Sequence, residues 1–257
     1  MAAKRAGQDD GRAPAPGPDV VLDGGMSKTL HLGLRALELL AAHPHGLSVT
    51  EVADGIGVHR TVAHRLLRTL EAHHLCRRDK LKRFLPGAGL VTLAAPVERD
   101  LRTLAEPVLE DLANSVGATA NLVVQETDTH VRSLLVVQPR NATMHVSFRT
   151  GQLDPIDRGC GGLAMLAALP PRPGEREEVR LARSRGYAHS YGEVIPSVHG
   201  ISAVVPGGRE GSLASIGVSV FQVDDEAALA RAVQDAAEQL GSMLRGTESL
   251  AGPAATR

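Results

Sequence analysis

The sequence predicts an α+β protein in which a small helical unit with a basic hairpin precedes an antiparallel sheet covered by helices. Three observations lead there. Apolar residues recur at helical spacing up to about residue 73. From Thr119 onward they give way to runs of β-forming residues separated by turns. Charge is also unevenly spread: between His59 and Arg83, eight Lys/Arg (Arg60, Arg65, Arg68, Arg77, Arg78, Lys80, Lys82, Arg83) face two acids, Glu71 and Asp79. That stretch is +6 in a chain of net charge −1, so the remainder carries −7.

The totals bound the function. A chain of 257 residues accommodates two modest domains, and 43% hydrophobic with 22% charged residues is ordinary globular composition. No apolar run approaches the ~18 residues of a membrane helix, and the N-terminus lacks a signal peptide's apolar core. A soluble, cytoplasmic protein without membrane contact is expected. Cys76 and Cys160 are far apart, which suggests neither a disulfide framework nor a zinc site, and no cofactor or metal is expected. Aromatics are limited to Phe84, Phe148, Tyr187, Tyr191 and Phe221, with no Trp. Readers of single strands and RNA loops stack bases on aromatic side chains, so the basic segment points to duplex DNA.

The elements follow in order. Residues 1–26 are rich in Ala, Gly, Pro and Asp and read as a disordered tail. Leu30, Leu34, Leu37 and Ala41 mark a first helix, closed by Pro44 and Gly46. Ser48-Val49-Thr50-Glu51 has the form of a capping box, opening a short helix that Gly55 and Gly57 interrupt. A further helix runs from about Arg60 to His73, with Val62, Leu66 and Leu70 on one face. Thr61, His64, Arg65 and Arg68 lie on the opposite one. Leu75–Asp79 and Arg83–Leu85 read as a hairpin with Lys80-Leu81-Lys82 at its tip. Residues 27–89 therefore form a winged helix-turn-helix, whose second helix of the pair enters the major groove.

The pattern Val97, Leu101, Leu104, Val108, Leu112, Val116 is helical, and Pro107 is expected to start a new helix rather than lie inside one. A linker helix over 90–106 and a second domain over 107–247 follow, with a flexible tail at 248–257. In that domain strands are expected at 119–126, 130–138, 143–148, 201–205 and 213–221. Helices are expected at about 160–168, 175–185 and 225–244.

"GLSVTEVADGIGVHRTVAHRLLRTLEAHHLCRRD", "DRGCGGLAMLAALP", "GYAHSYGE" and "ISAVVP…LASIGVSV" occur in the order seen in IclR-type bacterial transcriptional regulators, and the chain resembles them from about residue 27 to 245. The resemblance implies a winged-helix reader and a GAF-like effector domain. It also implies a homodimer or dimer of dimers on double-stranded operator DNA, and a repressor modulated by a small molecule, an organic acid or an aromatic metabolite. Arg60, Thr61, His64, Arg65, Arg68, Lys80, Lys82 and Arg83 are the expected DNA-binding residues. Cys160, Gly161, Glu193, Ser202, Gly217 and Ser219 are the expected effector-binding ones. The family's usual wing glycine is replaced here by Lys80-Leu81-Lys82, and its acidic cluster after "GYA" is reduced to Glu193.

Two rival readings belong to other classes. Cys160 in "RGCGGLA" opens a helix, where free N–H groups and the helix dipole are expected to lower its pKa. It could then serve as a nucleophile with His189 or His199 as base. Alternatively, the second domain is a protein-interaction module that binds no ligand. His73, His74 and Cys76 do not have a recognised zinc spacing.

Overall fold

The computed structural model describes residues 22–141, 146–207 and 213–251 and divides into two units, 1–97 and 98–257. In the first unit α1 (Lys28–Ala41), α2 (Val49–Gly55) and α3 (Arg60–Ala72) precede a hairpin of β1 (Cys76–Arg78) and β2 (Phe84–Pro86), then α4 (Gly89–Ala94). α2 starts where its capping box forms. The Glu51 N–H donates to Ser48 Oγ at 3.3 Å, and the Ser48 N–H donates to Glu51 Oε2 at 2.7 Å. Ser48→Ala is expected to cost about 1 kcal/mol, read as a lower melting temperature of this unit. The core is Ala36, Leu40, Leu47, Val52, Ala53, Ala63, Leu67, Cys76 and Phe84. α3 buries Ala63, Leu66 and Leu67, while Val62, expected inside, is 41% exposed.

The second unit opens with α5 (Arg99–Val116). The break expected at Pro107 is absent, because the helix runs through it. The linker helix expected over 90–106 is thus two segments, α4 and the start of α5, separated at Glu98, whose φ is +44°. Then come β3 (Thr119–Gln125), β4 (His130–Val137), β5 (Leu153–Pro155), α6 (Gly159–Ala168), α7 (Glu177–Arg185), β6 (Ala188–Tyr191), β7 (His199–Val204), β8 (Ala214–Val220) and α8 (Glu226–Ala251). The sheet is antiparallel in the order β5-β4-β3-β8-β7-β6. Residues 146–148 of the strand expected at 143–148 are not strand, and 143–145 lie outside the described residues. α8 continues to Ala251, so 248–251 are helical rather than a tail. The expected tails at 1–21 and 252–257 lie outside the described residues.

Each strand has two faces. Ala120, Leu122 and Val124 of β3, Ile201 and Ala203 of β7, and Ile216 and Val218 of β8 pack with α5 and α8. The alternate residues face α6. A bulge in β4 sets that second face: Leu122 pairs with Leu135 but Val123 with Ser133, leaving Leu134 as the extra residue. Without the slip, Leu134 would stand where Ser133 does. Among the described residues no helix is long and apolar enough to cross a membrane.

Candidate functional site

The first surface is built on α3 and the hairpin. His59 caps α3, its Nδ1 accepting from the Thr61 N–H at 3.3 Å. With Ala63, Leu66 and Leu67 anchored inward, Arg60, Thr61, His64, Arg65 and Arg68 are left exposed. Lys80 and Lys82 are exposed on the wing. Among the described residues none of these five Arg/Lys side chains has an acidic partner, so the charges are available to phosphates and base edges.

Arg83, also expected among the DNA-binding residues, is half-buried and engaged within the unit. Its Nε donates to Gly46 O at 2.9 Å and its guanidinium lies 3.6 Å from Glu51. The pairing of Phe84 with Leu47 is the physical reason: it brings the adjoining Arg83 side chain to Gly46 and the start of α2. The wing turn forms without glycine. Asp79 Oδ1 accepts from the Leu81 and Arg83 N–H groups at 2.9 and 2.8 Å, and Lys82 takes the left-handed conformation at φ +62°. His73 ends α3, and Cys76 is buried with its thiol donating to Leu67 O. Among the described residues no cluster of three ligands could hold a metal.

The second surface is a cavity of about 50 Å³ between the α6 face of the sheet, the start of α6 and residues 193–198. That is several times the space one water requires. Val123, Val131, Phe148, Val194, Ile195 and Val198 make its walls apolar, and Asn121, Ser133, Ser190 and Ser219 add polar groups. Two glycines let α6 begin here. Gly159 has φ +76°, and a side chain at Gly162 would come within 2.0 Å of Ile156 O. Gly162→Ala is expected to destabilise this unit by about 3 kcal/mol, since the obstructing atom is backbone, with calorimetry as the check.

Of the expected effector residues, Cys160, Gly161, Glu193 and Ser219 line the cavity. Ser202 and Gly217 do not. They pair across β7 and β8 beneath Cys160, and the fully buried Ser202 hydroxyl donates to Cys160 Sγ at 3.1 Å. Sequence reasoning missed Asn121, Ser133, Asp154, Arg158 and Ser190. Asn121 was detectable as the single amide in the otherwise apolar strand Ala120–Val124. Ser133 was not, because the bulge alters the alternation.

The helix start is already served from within the chain. The Gly159 N–H donates to Glu193 Oε2 at 2.9 Å, and the Cys160 N–H donates to Ser190 Oγ at 2.9 Å. Arg176 grips Glu193 with both terminal nitrogens, at 3.2 and 2.8 Å. This guanidinium, helped by the Gly159 amide, holds the Glu193 carboxyl below the usual carboxylate range. A depressed pKa means the stabilisation is complete above the unfolded pKa and is lost as pH falls through the folded one. The melting temperature of wild type is therefore expected to fall more steeply over that acidic window than that of Glu193→Gln, which lacks the titrating group.

Cys160 does not behave as the sequence suggests. Burial pushes its thiol up, outweighing the hydrogen bonds from Ser202, Ser190 and the backbone, so the expected lowering by the helix start is overturned. His189 pairs with Ile201, and His199 alternates with Gly200, so both histidines belong to the opposite face of the sheet from Cys160. There His189 meets Glu226 at 3.2 Å and His199 at 3.1 Å.

These two surfaces define the class: a winged helix-turn-helix unit joined to an α+β unit that carries a partly open cavity at the start of α6. Residues 30–80 match the IclR helix-turn-helix domain. The chain is 25% identical over 179 residues to the transcriptional repressor IclR of Escherichia coli, covering 68% of this chain and 64% of that protein, just under two thirds of its length. It is 27% identical to the HTH-type transcriptional regulator BhcR of Paracoccus denitrificans, covering 92% and 93% of the two chains. The fold is that of an IclR homologue from Microbacterium hydrocarbonoxydans solved with 4-hydroxybenzoate: TM-score 0.73, 21% identity, 85% of this chain and 99% of that one. Residues 30–80 thus form an IclR-type helix-turn-helix domain, and the chain as a whole is similar to IclR-type bacterial transcriptional regulators.

Proposed function

We propose that this regulator is a cytoplasmic, effector-responsive repressor. On this reading Arg60, Thr61, His64, Arg65 and Arg68 enter the major groove of operator DNA, and Lys80 and Lys82 hold the adjacent backbone. The observation that carries it is the row of exposed, unpaired cations on a helix whose other face is locked into a core. The E. coli relative is named a repressor, which supports that sign of control. The homologue solved with 4-hydroxybenzoate supports a small-molecule effector for the cavity. Exposed Leu30, Leu34, Val91 and Leu93 support self-association as a homodimer or dimer of dimers. Among the described residues the buried Cys160 thiol shares its face of the sheet with no histidine, which favours a sensor over an enzyme.

The test is operator binding by full-length protein at several salt concentrations. Affinity should fall linearly in log–log form, because neutralised phosphates release condensed counterions. Lys82→Ala should reduce the slope by about 1 and weaken all sequences alike. A binding constant indifferent to salt would refute the reading, as would unchanged binding after deletion of residues 1–97.

A further inference from the structure

The helix start and the cavity floor place different demands on a ligand. At the start of α6, the first two amides are taken by Glu193 and Ser190, and Arg176 neutralises the Glu193 charge. A ligand carboxylate seeking those amides would have to displace a carboxylate that is already paired. On the floor, Asn121 is 7% exposed, and its Oδ1 is buried with no hydrogen-bond partner. Of its two cross-strand neighbours, Val136 has an apolar side chain and Gly217 has none, so neither offers it a side-chain hydrogen bond. Buried polar groups in folded proteins are almost always paired, so an unpaired amide on a cavity floor is a place for a partner from outside the chain. The same cavity is lined by four valines, Ile195 and Phe148, beside Ser133, Asp154, Arg158 and Ser219.

We propose that this cavity takes a small, mostly apolar molecule bearing a hydroxyl group, with the hydroxyl seated on the Asn121 carboxamide and no carboxylate anchored at the α6 start. This rests on the reading of the cavity as the effector site. A hydroxyl both donates and accepts, so it pairs with either end of the amide. Gly217 leaves the Asn121 carboxamide without a side-chain neighbour from β8, because a side chain there would meet Ser202 Oγ at 2.0 Å and the Ile201 carbonyl oxygen at 2.9 Å. The competing arrangement seats a carboxylate on Arg158, an exposed lining residue whose guanidinium has no partner among the described residues.

The test uses three probes with one apolar body: phenol, anisole and benzoate, titrated calorimetrically into the full-length protein. Phenol is expected to bind at least about tenfold more tightly than anisole or benzoate, the margin a site built around a hydroxyl gives over an analogue lacking it. Asn121→Leu should erase that margin without lowering the melting temperature of the ligand-free protein, because it removes an unpaired buried amide. If Asn121→Leu does not fold, Asn121→Ser, which removes the amide within a smaller volume, should also lose the margin. Equal binding of phenol and anisole to wild type would overturn the proposal, as would a margin that survives either variant. Benzoate binding best, with loss in Arg158→Ala, would overturn it while leaving the cavity as an effector site. Failure of all three probes at millimolar concentration would overturn both.

Discussion

Arg65→Ala combined with Arg68→Ala is expected to lower affinity for the operator by about 30-fold to 10⁴-fold. Each side chain that reads a base edge is worth ~1–3 kcal/mol, and the two add if they contact different base pairs. The structure gives reasons to expect the full effect. Both residues are exposed on the side of α3 away from Leu66 and Leu67, and neither has an acidic partner to compensate for the lost contact. The unit's fold should survive, because neither side chain belongs to the core of Leu40, Val52, Leu67 and Phe84. Fluorescence anisotropy against the site found by genome-wide mapping, beside a scrambled duplex, separates two roles. If the arginines read bases, the double variant loses discrimination between the two duplexes. If they touch only phosphates, it loses both affinities equally and its salt slope falls by about 2. Undiminished binding to both would remove α3 from the interface.

The first unit is more fully legible in the sequence than the second, and the difference is physical. α2 and α3 are fixed by local signals: a capping box at Ser48 and Glu51, a turn at Gly57, and a helix with one apolar and one basic face. Such signals act within a few residues and can be read in order. Arg83 escaped because its partner, Gly46 O, lies 37 residues away and is brought near by the pairing of Phe84 with Leu47. The sheet of the second unit depends on such long-range pairing throughout. β5 and β6 are three and four residues long and too short for period-two alternation to stand out. The Leu134 bulge reverses the alternation within β4, so Ser133 reads as facing the wrong side.

The same contrast explains the two misjudged features of the cavity. A helix start lowers a cysteine's pKa only where burial does not outweigh it, and Ser202 and Gly200 close around Cys160 from a strand about 40 residues along the chain. The helix start looked open because Glu193 is 34 residues from Gly159. Pro107 misled for a different reason. Proline lacks the N–H that would bond to the residue four before it, but it does not forbid a helix when packing holds both sides. Here Ala105, Val108, Leu109 and Leu112 are all buried against the sheet and α8.

Phe84→Ala is expected to destabilise the reader unit by about 3–5 kcal/mol, which approaches the whole stability of so small a domain. Phe84 is fully buried and is the largest side chain in a core otherwise made of Leu, Val, Ala and Cys. It also joins the wing to the rest of the unit. Its N–H donates to Leu47 O at 2.7 Å, its carbonyl accepts from the Leu47 N–H at 2.9 Å, and its ring lies 4.5 Å from the Arg78 guanidinium. Removing the ring leaves a cavity that Leu40, Val52 and Leu67 cannot close without moving the helices that position α3. Operator binding should therefore be lost although no DNA-contacting residue has changed. The second unit has its own core, so calorimetry of the full chain should show its transition retained while that of the first unit drops. Phe84→Leu, which keeps most of the volume, should recover most of the binding. A Phe84→Ala protein that melts like wild type would mean that the wing is not held by this side chain. The Lys80-Leu81-Lys82 turn would then owe its position to Asp79 and the hairpin alone.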